Sequence, residues 1–343
     1  MKIRWFAVVA ALVAAFSFVT AQGTGGTAFF PKNPSRVVLG GRAVTMVADA
    51  VYAFSSARAS VVSVAGTDQG LGSFLNAVDP GFLDKPSLDR SASAESYAAL
   101  KPDLVILKET MRSSLGSGLS ALGVPTLYLN LETPDDYYAD IQTLGSVFGE
   151  EERAAGLVAY YKDVVARVSS AAAGAKKAGV KVPRVLVMQA KGSAYEVPPD
   201  TWMQTVLVEM AGGAPVWKGA NPGSGWAAVS PEQVLAWNPD IVILISYKQN
   251  AGTLVPAMKG DARFSALPAL KAGKVYGFPQ DFYSWDQPDT RWGLGLLWLS
   301  KVLYPGRSPG LEPEARRFYR LFYDLDDDSF NAVILPRMAG DWR

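Results

Sequence analysis

Chemistry that needs an imidazole or a thiol is closed to this chain, because its 343 residues include no histidine and no cysteine. Ser-His and Cys-His catalysis, histidine proton shuttles, disulfides, thiolate metal sites and ordinary zinc sites are thereby excluded. Arginines and aromatics remain for gripping a ligand. Arg42 follows the apolar burst Val37 to Leu39 and the pair Gly40-Gly41, a strand-and-turn position where ligands of α/β sheets are usually met. Arg90 stands beside Asp89, Trp226 lies in the glycine-rich stretch GSGWAAVSPE, and Tyr283 and Trp285 shortly precede Arg291. A guanidinium holds carboxylate or catecholate oxygens with a two-pronged set of donors, and the rings add apolar surface. On residue type alone, each arginine serves equally as a surface ion pair, and the rings as packing or as a cap over the last helices.

Two carboxylates are placed by a repeat. Residues 94 to 107 read AESYAALKPDLVIL and residues 231 to 244 read PEQVLAWNPDIVIL, so Glu95 recurs as Glu232, 137 residues later (232 − 95). Each copy reads as a helix led by glutamate, ended by the proline that disfavours helix in the residue before it. A strand of branched residues follows, suited to burial on both faces. A carboxylate near a helix start also complements the helix dipole, and matching positions in two lobes allow a paired role.

These residues need a frame of alternating strands and helices. SRVVLGGR, SVVSVAG, DLVILK and TLYLN supply short apolar bursts between helical patterns, which predicts a parallel sheet covered on both faces. GEEERAAGLVAYYKDVVARVSSAAAGAKK, residues 149 to 177, is proline-free, opens with glutamates and closes with lysines, as a long helix should. After it the plan restarts with RVLVMQ, DIVILIS and GKVYGFP, then two helical patterns, RWGLGLLWLSKVL and EARRFYRLFYDL. The expectation is two similar α/β lobes, residues 22–148 and 179–343, with parallel-rich sheets flanked by helices. One long rigid helix at 149–178 joins them, and a ligand cleft lies between them.

Lys2, Arg4, the apolar run WFAVVAALVAAF and Val19-Thr20-Ala21 read as a secretory signal over residues 1–21, with QGTGGT as a flexible lead after it. The apolar run is shorter than the roughly 20 residues of a spanning helix. Removing Lys2 and Arg4 leaves 31 basic residues (33 − 2) against 32 acidic ones, a net charge of −1. Nothing electrostatic favours nucleic acid. Without cysteine no lipid-modified N-terminus is expected, so the mature chain is expected free in an envelope compartment.

Other motifs carry less. DLDDD, Asp324 to Asp328, lacks the glycine and distal glutamate of a calcium loop and reads as a solvated helix end. GLGSFL and GLGLLW imitate dinucleotide fingerprints without the preceding strand, and no phosphate loop or G-x-S-x-G elbow occurs.

The two Pro-Asp copies, the leading RVVLGG, the long central helix and the segment WDQPDTRWGLGLLWLSKVLYP together resemble the periplasmic binding proteins of ABC importers for iron complexes and vitamin B12, the helical-backbone (class III) family. The resemblance covers essentially the whole mature chain. It implies a receptor, not an enzyme, with no catalytic residue, cofactor or resident metal. Such a receptor, most simply a monomer, delivers a ferric siderophore-like chelate to a permease dimer with its ATPase subunits. Cobalamin, haem, molybdate or tungstate are the alternative ligands, and a cleft enzyme or a ligand sensor the alternative classes. By position, Glu95 and Glu232 correspond to the glutamates that dock onto permease arginines, and Trp226 to a ligand-facing tryptophan of cobalamin-binding relatives. Arg291 corresponds to the family's anion contact. In the first lobe, Asp89 and Arg90 stand where an aromatic would match Trp226, which weakens a cobalamin reading. Arg42, Arg90, Trp226, Tyr283, Trp285 and Arg291 are thus the expected ligand contacts.

Overall fold

The computed structural model describes residues 18–23, 26–67, 69–192 and 194–343. Most of the expected leader lies outside them. Its last residues join β1 (Phe18–Gly23), which pairs antiparallel with β2 (Gly26–Pro31). The lead expected to be flexible is therefore partly in a hairpin, in keeping with the β-forming Phe and Thr on both arms.

In the N-terminal lobe β3 (Val37–Gly40), β4 (Val61–Val64), β5 (Leu104–Lys108) and β6 (Thr126–Leu129) form a parallel sheet in the order β4-β3-β5-β6. Every residue of β5 is buried, as expected of a branched run covered on both faces. In the C-terminal lobe β7 (Arg184–Lys191), β8 (Ala194–Val197), β9 (Ala214–Pro215), β10 (Ala227–Val229), β11 (Ile241–Ile245) and β12 (Val275–Gly277) form a mixed sheet. Its order is β10-β8-β7-β11-β12, with β9 beside β7; β7, β9, β11 and β12 run parallel, while β8 and β10 add an antiparallel edge.

The repeat has a physical meaning in this frame. Asp103 accepts hydrogen bonds from the backbone N–H groups of Ser35 (2.8 Å) and Arg36 (2.9 Å), and Arg36 in turn caps the preceding helix by donating to the carbonyls of Leu100 (2.8 Å) and Lys101 (3.1 Å). In the second copy Asp240 accepts from the N–H of Arg184 (2.9 Å), and Arg184 donates to the carbonyl of Trp237 (2.5 Å). Each lobe thus ties a glutamate-led helix, Ala94–Ala99 or Pro231–Trp237, to the neighbouring strand through one Arg-Asp clamp. The residues before the prolines, Lys101 and Asn238, both take the left-handed conformation, with φ of 49° and 45°.

A 27-residue helix, Glu151–Lys177, runs between the lobes, roughly 40 Å at 1.5 Å per residue. Its acidic first turn and basic last turn suit the dipole. Tyr161 stacks on Trp292 with ring centroids 4.4 Å apart and donates to the carbonyl of Thr290 at 2.7 Å. The helix Leu311–Tyr323 packs Phe318 and Phe322 on Tyr160 of the long helix and reaches the N-terminal lobe, where Tyr323 donates to the carbonyl of Asp49 (3.2 Å). One apolar core is therefore continuous through both lobes. Among the described residues no helix is long and apolar enough to cross a membrane.

Candidate functional site

The cleft lies where strands of both sheets end. Lys108 closes β5 and Thr110 follows it; Tyr247 stands two residues past β11, seven past Asp240 as Thr110 is seven past Asp103. These three, with Gln69 and Glu132 from the N-terminal lobe and Trp202, Gln204, Trp226 and Gln287 from the C-terminal lobe, line a cavity of about 350 Å3. Trp226 meets Trp202 edge to face at 5.9 Å and Tyr247 at 6.2 Å, a corner of three rings. Behind it the buried carboxylate of Asp286 accepts from the Tyr247 hydroxyl (2.8 Å) and from Gln204 Nε2 (2.8 Å), which fixes both side chains. Gln204 Oε1 is buried with no hydrogen-bond partner.

On the other wall the Lys108 side chain is only 2% exposed. Its Nζ pairs with Glu132 Oε1 at 2.7 Å and donates to the carbonyl of Asn130. Burial lowers the lysine pKa, while the charges of Glu132, Asp140 and Asp136 oppose that shift. The same burial raises the carboxyl of Asp140 to about 7 against the bond it accepts from the N–H of Leu131.

The structure brings together only some of the residues expected from sequence. Trp226 lines the cleft. Arg42 and Arg90 are exposed and share with Glu95 an open depression of about 740 Å3 that adjoins the cleft at Thr110. Gly40 and Gly41 make that turn possible: a Cβ on Gly40 would stand 2.3 Å from the Tyr97 ring, and Gly41, at φ +73°, donates its N–H to the Tyr97 hydroxyl (2.9 Å).

Tyr283, Trp285 and Arg291 are corrected, since none of them lines the cleft. Tyr283, 5% exposed, closes a separate pocket of about 270 Å3 with Thr45, Val64 and Lys85. Trp285 is fully buried, donates Nε1 to Asp281 (2.9 Å) and lies so close to Gly295 that a Cβ there would meet its carbonyl oxygen at 2.2 Å. Arg291 is also fully buried. Its Nε donates to Asp281 (2.8 Å), its Nη1 to Asp49 of the other lobe, and its guanidinium lies over the Phe74 ring (4.6 Å). The reason is charge balance: Asp49, Asp281 and Asp289 are all buried around it, and buried carboxylates need a paired cation. Burial pushes Asp49 up to about 6, with Arg291 opposing.

Sequence reasoning missed Lys108, Thr110, Glu132, Trp202, Gln204 and Tyr247. For Lys108 and Tyr247 a signal existed, since both stand at or just beyond the C-terminal ends of the two branched runs, where sheets of this kind meet ligands.

Glu95 and Glu232 occupy equivalent places, the second residue of each repeated helix, and both are exposed. A hydrogen bond from the Ser93 hydroxyl holds the Glu95 carboxyl below its usual range. Glu232 is lowered first by its own backbone N–H and then by Ser230.

Residues 85–282 match the family model described as "Periplasmic binding protein". A molybdate-binding protein, MolA, of Haemophilus influenzae is 26% identical over 268 residues, 69% of this chain and 72% of the relative. A cobalamin-binding protein of Halobacterium salinarum is 26% identical over 60% of this chain and 52% of its own length. Among solved structures, a periplasmic solute-binding protein from Veillonella parvula superposes with a TM-score of 0.73 over 93% of this chain and 97% of the other, at 23% identity, a likeness of fold.

Proposed function

The chain belongs to the periplasmic binding protein family, the solute-binding receptors of ABC transporters, and from that premise we propose that it captures a ferric chelate in the interlobe cleft for delivery to a membrane permease. The cleft is the observation that carries this reading: an aromatic corner of Trp202, Trp226 and Tyr247 faces a buried lysine. Arg42 and Arg90 line the adjoining rim. A catecholate-type chelate presents the complementary chemistry, flat rings for the tryptophans and anionic oxygens for the cations. In this reading Glu95 and Glu232 are the permease-docking carboxylates, one on each lobe, and the receptor works as a monomer in the periplasm after loss of its leader.

A compact oxyanion is the second reading, favoured by the modest cleft volume of about 350 Å3 and by the molybdate-binding relative. Native mass spectrometry of protein purified from its own host, followed by tryptophan-fluorescence titration with ferric catecholates, cyanocobalamin and molybdate, separates these ligands. We expect saturable quenching by a ferric catecholate that Trp226→Ala weakens at least about tenfold, the order of one lost aromatic anchor. Tight binding of molybdate or cobalamin with none of the ferric chelates would overturn the chelate assignment.

A further inference from the structure

Among the described residues, Lys108 and Glu132 are the only charged side chains that line the cleft. They face each other at 2.7 Å, but they are not equally committed. Lys108 is 2% exposed and is anchored by the carbonyl of Asn130, so it has nowhere to turn. The Glu132 side chain is 32% exposed and can swing into water.

The other carboxylates near Lys108 are tied down. Asp136 takes hydrogen bonds from the Thr133 backbone N–H (3.2 Å) and hydroxyl (2.6 Å) as half of a capping box, and Asp140 accepts from the N–H of Leu131 (2.8 Å). The facing wall is neutral: Gln204, Gln287, Tyr247 and the two tryptophans, with Asp286 held behind them by Gln204 and Tyr247.

We infer that Glu132 is a built-in counter-anion for Lys108, and that the ligand binds by displacing it and seating an anionic oxygen of its own on the lysine. This rests on the reading of the cleft as the ligand site. The exchange keeps the buried ammonium paired at every stage, whereas an empty Lys108 would be a buried uncompensated charge. It also sets a threshold for selection. A ligand oxygen must outcompete a carboxylate already in place, so weakly held monoanions are refused and chelates or oxyanions with concentrated charge are accepted.

The test is a fluorescence titration of wild type, Glu132→Gln, Glu132→Asp and Trp226→Ala with sodium molybdate, ferric tris(2,3-dihydroxybenzoate) and, as a probe without an anionic oxygen, dicyanocobinamide. Glu132→Gln is expected to tighten at least one anionic probe about tenfold, the size expected from removing one competing charge, and to affect dicyanocobinamide far less. Glu132→Asp keeps the charge on a shorter arm and should tighten the anionic probes less than Glu132→Gln does. Anionic probes that bind Glu132→Gln no better than wild type, or not at all, overturn the inference. If a probe binds and Trp226→Ala leaves it untouched, the cleft itself is not the site, a failure distinct from the first.

Discussion

At the scale of single residues, the fate of a charge is decided by partners the local sequence does not show. Arg291 is expected as a ligand contact from its resemblance to the family's anion contact, yet beside Asp281 and Asp289 it pairs with Asp49, 242 residues away. Pairing with that distant carboxylate turns a candidate site residue into an interior tie between lobes. Three buried acids and one guanidinium make a cluster in which Asp49 Oδ1, Asp289 Oδ2 and Arg291 Nη2 have no hydrogen-bond partner. Arg291→Ala is therefore expected to lower the unfolding free energy by about 3–5 kcal/mol, since it strands buried carboxylates. The pair Asp49→Asn with Arg291→Met should cost less than the single change. Urea denaturation reads both; a single variant as stable as wild type would remove the ion cluster from the account of stability. Lys108 is the converse case, a lysine ending an apolar strand that sequence reading passed over although its place announces a role.

At the scale of elements, the repeated segment was legible because its signals are local. Proline stops the helix, branched residues make the strand, and the aspartate finds the neighbouring strand's backbone within hydrogen-bond reach. What the pattern did not disclose is that Arg36 and Arg184 complete the clamp by capping the helix they face. Asp103→Ala should cost about 1–2 kcal/mol, as it leaves the N–H groups of Ser35 and Arg36 without their charged acceptor. Asp240→Ala, which removes the acceptor of the Arg184 N–H alone, should cost less, and the double variant should sum to within about 0.5 kcal/mol because the clamps lie in different lobes. A double variant far from that sum in denaturant titrations would show that the two clamps are coupled. The hairpin of β1 and β2 was not legible, because glycine-rich sequence gives no local sign of the strand it will pair with.

At the scale of the whole molecule, the lobes are tied by the long helix, by the Tyr161 bond to Thr290, by the Asp49–Arg291 pair and by the N–H groups of Gly70 and Leu71, which donate to the carbonyls of Tyr247 (3.1 Å) and Phe282 (2.7 Å). Closure on ligand should therefore be small. The absence of native cysteine makes a spin-label pair at Ser120→Cys and Lys259→Cys, one exposed site on each lobe, free of background. Ligand should move their distance by only a few ångströms, and a shift beyond about 10 Å would indicate hinge-type opening instead. If Glu95 and Glu232 dock the permease, reversing both to lysine should leave ligand affinity intact and abolish uptake in a reconstituted importer. Undiminished uptake would release both residues from that role. The Asp49–Arg291 pair also bears on how the two halves meet. Asp49 and Arg291 lie 242 residues apart in the sequence, so the buried acid of the N-terminal lobe has this charge partner only when the C-terminal lobe is packed against it. The contact that balances the charge is thus also a contact that joins the two halves.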